Sequence, residues 1–262
     1  MTSVILHLSD LHIGAGASLQ QETLIDLQET VDRYNPEIIV ASGDLTHRNL
    51  TSQHQEAAEL LQSLGPPVLA VPGNHDIPAL PPKRFTNTYE AFLNVWGETE
   101  PTYYSEKLTI VGLSSVQPWL YQEGLLTHKQ IKKLENTLQK GANTTRVVVM
   151  HHHLASAPWR TAKKPLLRRS SLLKTLSRMG IDLVLAGHVH QTSIAAAAEF
   201  YTEASHDIIV STTAGIGHPR PGRHTEVRGF QIWEIDAREL RSHTFSWTKV
   251  GLRKTSHRSF PR

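Results

Sequence analysis

Pro67-Val68-Leu69-Ala70-Val71-Pro72 runs directly into Gly73-Asn74-His75-Asp76. A short apolar run closed by Gly reads as a buried strand emptying into a tight turn. Three side chains follow that can bind a metal or move a proton. Alone, the stretch is no more than an Asn/Asp turn, because such turns need only Gly and Asn. Its weight comes from recurrence. Val4-Ile5-Leu6-His7-Leu8-Ser9 leads into Asp10-Leu11-His12, and Glu37-Ile38-Ile39-Val40-Ala41-Ser42 into Gly43-Asp44. Arg146-Val147-Val148-Val149-Met150 leads into His151-His152-His153, and Asp182-Leu183-Val184-Leu185-Ala186 into Gly187-His188-Val189-His190. In an open α/β sheet, ligands bind outside the carboxyl ends of the strands. Five strand ends carrying Asp, Asn or His therefore point at one place.

Between these ends the apolar residues take helical spacing. Leu24, Leu27 and Val31 share a face of a helix over 19–34, which Pro36 stops. Ala57, Leu60, Leu61 and Leu64 share a face of a second helix over 51–64. The order βαβαβ is the signature of a parallel sheet. A helix over 86–95, a hairpin pair over 103–105 and 108–113, and helices over 128–140 and 171–179 continue the chain. After Gly187 the character changes. Residues 208–210, 230–235 and 240–247 read as strands linked by turns, which predicts a second sheet with antiparallel pairs. No repeat or Ser/Gly linker interrupts the chain. The expectation is an α/β fold in a single domain over residues 1–262, a four-layer αββα sandwich of two mixed sheets flanked by helices. The last ten or so residues are expected to fray, as chain ends do when nothing ties them down.

Composition narrows the chemistry. The 262 residues are 39% hydrophobic and 19% charged, which is globular usage. With no Cys, disulfides, thiolate zinc sites and cysteine nucleophiles are excluded, so any metal must sit among oxygen and nitrogen ligands. A strand beginning at Val4 leaves no room for a basic-then-apolar export segment, and no apolar run approaches the ~20 residues of a membrane span. A cytoplasmic protein with no membrane partner is expected. The net charge of +3 suits an anionic substrate but is an ordinary value. The histidines say more: His7, His12, His75, His151, His152, His188 and His190 all sit at or beside strand ends.

Hydrolysis of a phosphate ester needs a nucleophile near neutral pH, neutralised phosphoryl oxygens and help for the leaving oxygen. Two metal ions ~3.5–4 Å apart supply the first two. Asp10, His12, Asp44, Asn74, His151, His188 and His190 suffice for two sites sharing Asp44. The mixed N/O set suits Mn, Fe, Zn or Co better than Ca. His75 is left to protonate the leaving oxygen, work suited to its natural pKa.

These motifs, in this order from Val4 to His190, resemble the calcineurin-like metallophosphoesterases. The resemblance implies the metallo-dependent phosphatase fold and a dinuclear centre. It implies one ion held by Asp10, His12, Asp44 and His190, a second by Asp44, Asn74, His151 and His188, and His75 as proton donor. Leu8-Ser9-Asp10-Leu11-His12, Gly43-Asp44-Leu45-Thr46, Val71 to Asp76, Gly187 to His190 and the closing Gly229 to Asp236 resemble the bacterial class III cyclic-nucleotide phosphodiesterases. The expected reaction is hydrolysis of a small phosphodiester, a 3′,5′-cyclic nucleotide first, by a metal-bridging hydroxide with His75 as donor. A DNA or RNA nuclease and a phosphomonoesterase are the alternatives. The modest charge and short C-terminal region do not favour a nucleic-acid partner. A metal-free scaffold fits least, because all seven positions carry competent side chains. Oligomeric state is not legible.

Two departures from the family pattern matter. Where the family often has Pro soon after the strand-end His, this chain has His151-His152-His153-Leu154; His151 is taken as the ligand because it comes first after the strand. Where protein phosphatases of the superfamily have Asp three residues beyond the bridging Asp, this chain has His47, which argues against that activity and leaves the group orienting His75 open. His7 reads as a packed histidine, and His152 and His153 stay outside the metal set. Asp76 reads equally as a cap or a functional group, and His218 as part of a surface loop. Arg160, Lys163, Lys164, Arg168 and Arg169 follow the His151 loop, so a phosphate-holding loop and a solvated helix start both stay open.

Overall fold

Strand side chains alternate between two faces, and here both faces are apolar. In β1 (Ser3–Leu8), Ile5 points one way and Leu6 and Leu8 the other; in β2 (Ile38–Ala41), Ile38 and Val40 oppose Ile39 and Ala41. The same split recurs in β6 (Thr145–Val149) and β7 (Leu183–Ala186), where Val147, Val149, Leu183 and Leu185 oppose Val148 and Val184. Strands coated on both faces must lie in an inner layer, and these do. A computed structural model describes residues 2–15, 19, 21–140, 144–155, 161, 163–200, 207–217 and 227–262. His218 and Arg160 lie outside the described residues.

Two six-stranded mixed sheets face each other across a shared core of Ile5, Val40, Val71, Ile110, Val149, Leu185 and Trp233. The first sheet contains β1, β2 and β3 (Val68–Ala70) in parallel, joined through α1 (Gln21–Tyr34) and α2 (Thr51–Ser63). Its outer face packs on α1, α2 and α4 (Glu90–Trp96), where Leu27, Val31, Leu61 and Phe92 close a second core. In the second sheet β5 (Leu108–Gly112), β6, β7 and β9 (Ile209–Thr212) run parallel, between β4 (Thr102–Tyr104) and β8 (Ser193–Ala196) at the edges. Its outer face packs on α5 (His128–Leu138) and α6 (Arg169–Arg178) through Leu134, Leu138, Leu173 and Leu176. The layers are helix, sheet, sheet, helix.

Four expectations are corrected. The strands β10 (Gly229–Ile235) and β11 (Glu239–Thr248) extend the first sheet, antiparallel beside β1, and do not build the second. The parallel strands divide between both sheets. The segment over 86–95 is two short helices, α3 (Lys83–Thr86) and α4. The last residues are not frayed: β12 (Gly251–Pro261) pairs with β11 from Thr248↔Gly251 to Glu239↔Pro261. Its mostly exposed, polar pattern hid it. Phe260 ties it down, buried 6.5 Å from the Trp233 ring, while Arg253 and Lys254 stand on an exposed edge of the kind charged residues protect.

Candidate metal centre

The carboxyl ends of β1, β2, β3, β6 and β7 converge. Backbone bonds stitch the loops together: Asp10 N–H donates to the Gly43 carbonyl, His12 N–H to that of Asp44, and Gly187 N–H to that of His151. The turns need special backbone. Asp10, His12, Asp44, His188 and His190 all have positive φ, between 48° and 72°. Left-handed backbone at a non-glycine residue costs of order 1–3 kcal/mol, and such strain concentrates at functional sites. Glycine is required where loops touch. A Cβ on Gly73 would sit 2.2 Å from Asp44 N, and one on Gly187 would sit 1.8 Å from Ser9 Oγ.

All seven candidate ligands come together, in two groups. Asp10, His12 and His190 bring ligand atoms within 4.8 Å of one another, and so do Asp44, His151 and His188. Within the first, His12 Nε2 and His190 Nε2 are 3.2 Å apart, and Asp10 Oδ1 lies 3.1 Å from His190 Nε2. Within the second, His151 Nε2 is 3.2 Å from both Asn74 Oδ1 and His188 Nδ1. Asp44 Oδ2 faces both groups, 3.8 Å from His12 Nε2 and 3.4 Å from His151 Nε2. His47 and His75 form a further group with His12, so His75 stands at the edge of the first.

The two carboxylates are built alike. Asp10 Oδ2 accepts from Ser9 Oγ and His188 N–H, and Asp44 Oδ1 accepts from His75 N–H. Their other oxygens, Asp10 Oδ1 and Asp44 Oδ2, are buried with no hydrogen-bond partner among the described residues. Orphaned buried oxygens demand an explanation, and a cation is one. His151 Nδ1 donates to the Ser42 carbonyl, which leaves the Nε2 lone pair facing Asp44. Nitrogen and oxygen ligands about 2.0–2.2 Å from a transition metal stand about 3 Å from one another. The spacings here match, and the N/O donor set suits Mn, Fe, Zn or Co. The residues fit a metal centre.

The electrostatics agree. Burial alone would raise the Asp44 carboxyl, but His151, then His75 and His12, hold it well below its usual range. Burial likewise works against Asp10, and His190 and His12 outweigh it. Burial pulls His151 down, yet Asp44 holds it up to about 9. A cation and that proton compete for the same lone pair, so metal binding releases protons.

The sequence profile of the calcineurin-like phosphoesterases matches residues 3–192. The chain belongs to that family. It is 26% identical over 197 residues to the 3′,5′-cyclic adenosine monophosphate phosphodiesterase CpdA of Escherichia coli (strain K12), covering 71% of this chain and 69% of that one. It is 27% identical over 189 residues to the CpdA of Haemophilus influenzae, covering 69% of this chain and 63% of that one. Its fold is similar to a purple acid phosphatase from yellow lupin seeds, with TM-score 0.74 at 14% identity, over all of this chain and 54% of the other.

Three features of this phosphoesterase were not legible. His75 Nδ1 lies 3.1 Å from the His47 backbone carbonyl, which orients the ring; a carbonyl leaves no sequence signal. Asp76 does not cap the segment that follows it. It reaches back, accepting from Gly73, Leu45 and Thr46 N–H and from Thr46 Oγ1, and so braces the β2 and β3 loops. Burial first, then the Asp44 charge, push its carboxyl up to about 7. Arg84 is buried and bonds the carbonyls of Pro78, Pro118 and Leu120, clamping the loop after Asp76 to the loop after β5. His7 is packed as expected, between Ser42 and Gln231, and burial lowers it to about 4. No helix among the described residues is long and apolar enough to cross a membrane.

Proposed function

We propose that this phosphoesterase hydrolyses a small phosphodiester, with a 3′,5′-cyclic nucleotide as the leading substrate, at a centre of two transition-metal ions. One observation supports the dinuclear reading: Asp44 Oδ2, buried without a hydrogen-bond partner among the described residues, lies 3.8 Å from His12 Nε2 and 3.4 Å from His151 Nε2, in reach of both ligand groups. Asp10, His12, Asp44 and His190 would hold one ion, and Asp44, Asn74, His151 and His188 the other. Such a pair, when bound, neutralises phosphoryl oxygens and supplies a nucleophile near neutral pH.

The chain's own part is positioning and proton transfer. His75 Nδ1 must carry its hydrogen, since the His47 carbonyl can only accept. Nε2 is then the atom that gives a proton to the leaving oxygen. The ring is held on both sides, stacked on His47 at 5.7 Å and edge-on to His12 at 4.9 Å. The Arg84 clamp fixes two loops that carry the exposed Leu80, Trp119 and Tyr121, apolar surface of the kind a base can lie on. The cyclic-nucleotide preference is supported by the relatives named for that activity.

The test is a substrate panel with added Mn: cyclic nucleotides, bis(p-nitrophenyl) phosphate, a monoester and single-stranded DNA. His75→Ala is expected to lower turnover by about 10²–10⁴-fold with metal content unchanged, the usual scale for a lost general acid. Parental turnover of bis(p-nitrophenyl) phosphate by the metal-loaded variant would remove His75 from the mechanism. Faster cleavage of DNA than of any cyclic nucleotide would move the assignment to a nuclease.

A further inference from the structure

The loop after β2 brings a second imidazole beside the proton donor. One nitrogen each of His12, His47 and His75 lie within 4.8 Å of one another. Three points so closely spaced share a neighbour: some position lies within about 2.8 Å of all three, the length of a good hydrogen bond. His47 and His75 are nearly parallel, 18° apart, and both stand edge-on to His12. His12 is the buried floor of this group, and His47 and His75 are its half-buried walls.

The backbone that carries His47 is fixed. Its N–H donates to the Ile13 carbonyl at 2.9 Å, and its carbonyl accepts from His75 Nδ1 at 3.1 Å. Thr46, just before it, is held by Asp76 through both its N–H and its hydroxyl. The two walls are thus tied to each other and to the loop after β1. Because Nδ1 of His75 serves the His47 carbonyl, Nε2 is the nitrogen that serves the shared position. An imidazole carries an N–H on at least one nitrogen, so His47 has a donor to present there. Donors held in place beforehand stabilise charge that develops in a reaction without reorganising when it appears.

We propose that the His47 side chain is a further catalytic residue, a second donor to the leaving oxygen that His75 protonates. As the P–O bond breaks, its electron pair goes to that oxygen. His75 Nε2 transfers a proton to it, while His47 gives a hydrogen bond and keeps its own proton. The inference rests on the diester reading, which supplies the leaving oxygen.

The experiment compares wild type, His47→Phe and His47→Gln, each Mn-loaded, on ethyl aryl phosphodiesters whose phenols differ in acidity. Metal content and melting temperature are measured on the same samples. Phenylalanine keeps a ring to lie against His75 but has no N–H; glutamine has N–H groups and no ring. His47→Phe is expected to lower kcat about 10²-fold for the poorest leaving group, the usual scale for one lost donor. The loss should shrink as the phenol becomes more acidic, because a good leaving group needs less help. His47→Gln should recover most of the loss, and both variants should keep the wild-type metal content. If the larger ring disturbs the fold, His47→Ala, which retains the carbonyl that orients His75, carries the same comparison. Parental turnover by His47→Phe across the series overturns the proposal and makes the ring a packing partner of His75. A loss equal for every leaving group overturns it as well, and so does reduced metal content, which would make His47 a ligand. A wild type that cleaves none of these diesters refutes the phosphodiesterase reading itself, whereas an active wild type matched by His47→Phe refutes only the second donor.

Discussion

His54 gives the sharpest prediction, because it is buried in α2 away from the metal ligands. Its Nδ1 faces the Trp96 indole N–H at 3.2 Å, and its Nε2 faces Asn49 Oδ1 at 3.1 Å. An indole can only donate, so Nδ1 must be an acceptor and the ring neutral. A second ring proton would point at the indole hydrogen. Burial accordingly lowers His54 from 6.5 to about 4. The sign follows: the folded state refuses a proton that the unfolded chain accepts. The stability is fully present above pH 6.5 and lost as pH falls toward 4. Between pH 7.5 and 5 one such group forfeits about 2 kcal/mol, taking 1.36 kcal/mol per pKa unit. Other groups titrate in the same range, so the measurement must be a double difference. Urea unfolding of metal-free wild type and His54→Gln at both pH values isolates the term, since glutamine can hold both partners without titrating. The wild type should lose about 2 kcal/mol more than the variant on acidification. Equal losses, within 0.5 kcal/mol or so, would refute the buried neutral histidine.

The remaining predictions concern the centre and the sheet edge. Asp44→Asn should abolish the thermal stabilisation by Mn, which for the wild type is about 2.7 kcal/mol at a hundred times the dissociation constant; scanning calorimetry with and without Mn reads it. Gly187→Ala places a methyl where Ser9 Oγ and Asp10 Oδ2 lie, so elemental analysis should find metal content reduced while the far-ultraviolet spectrum stays native. Full metal loading of that variant would show that the loops yield more than their contacts suggest. Phe260→Ala should cost about 3 kcal/mol in urea unfolding, the usual loss for a buried ring. A loss under 0.5 kcal/mol or so would mean that β12 contributes nothing.

The sequence by itself determined which strands end in which ligands. An apolar run of four to six residues followed by Asp, Asn or His is a local pattern, and the pattern of Asp10, His12, Asp44, Asn74, His75, His151, His188 and His190 was complete in the chain. That Val147, Val148 and Val149 lie in a buried strand was legible too, because an apolar run is a local pattern, while their division between two cores was not.

Only the tertiary structure decided how the strands were shared out. Pairing of β10 with β1 joins residues over 220 apart, as Ser3↔Ile235 shows, and no local propensity encodes a partner at that distance. It also decided that Asp44 Oδ2 faces both ligand groups, that Asp76 reaches back to Leu45 and Thr46, and that the His47 carbonyl accepts from His75 Nδ1. These are matters of where backbone amides and carbonyls point once the loops close. Every residue carries the same carbonyl, and every one but proline the same N–H, so their direction is set by the fold and not by the letter at that position.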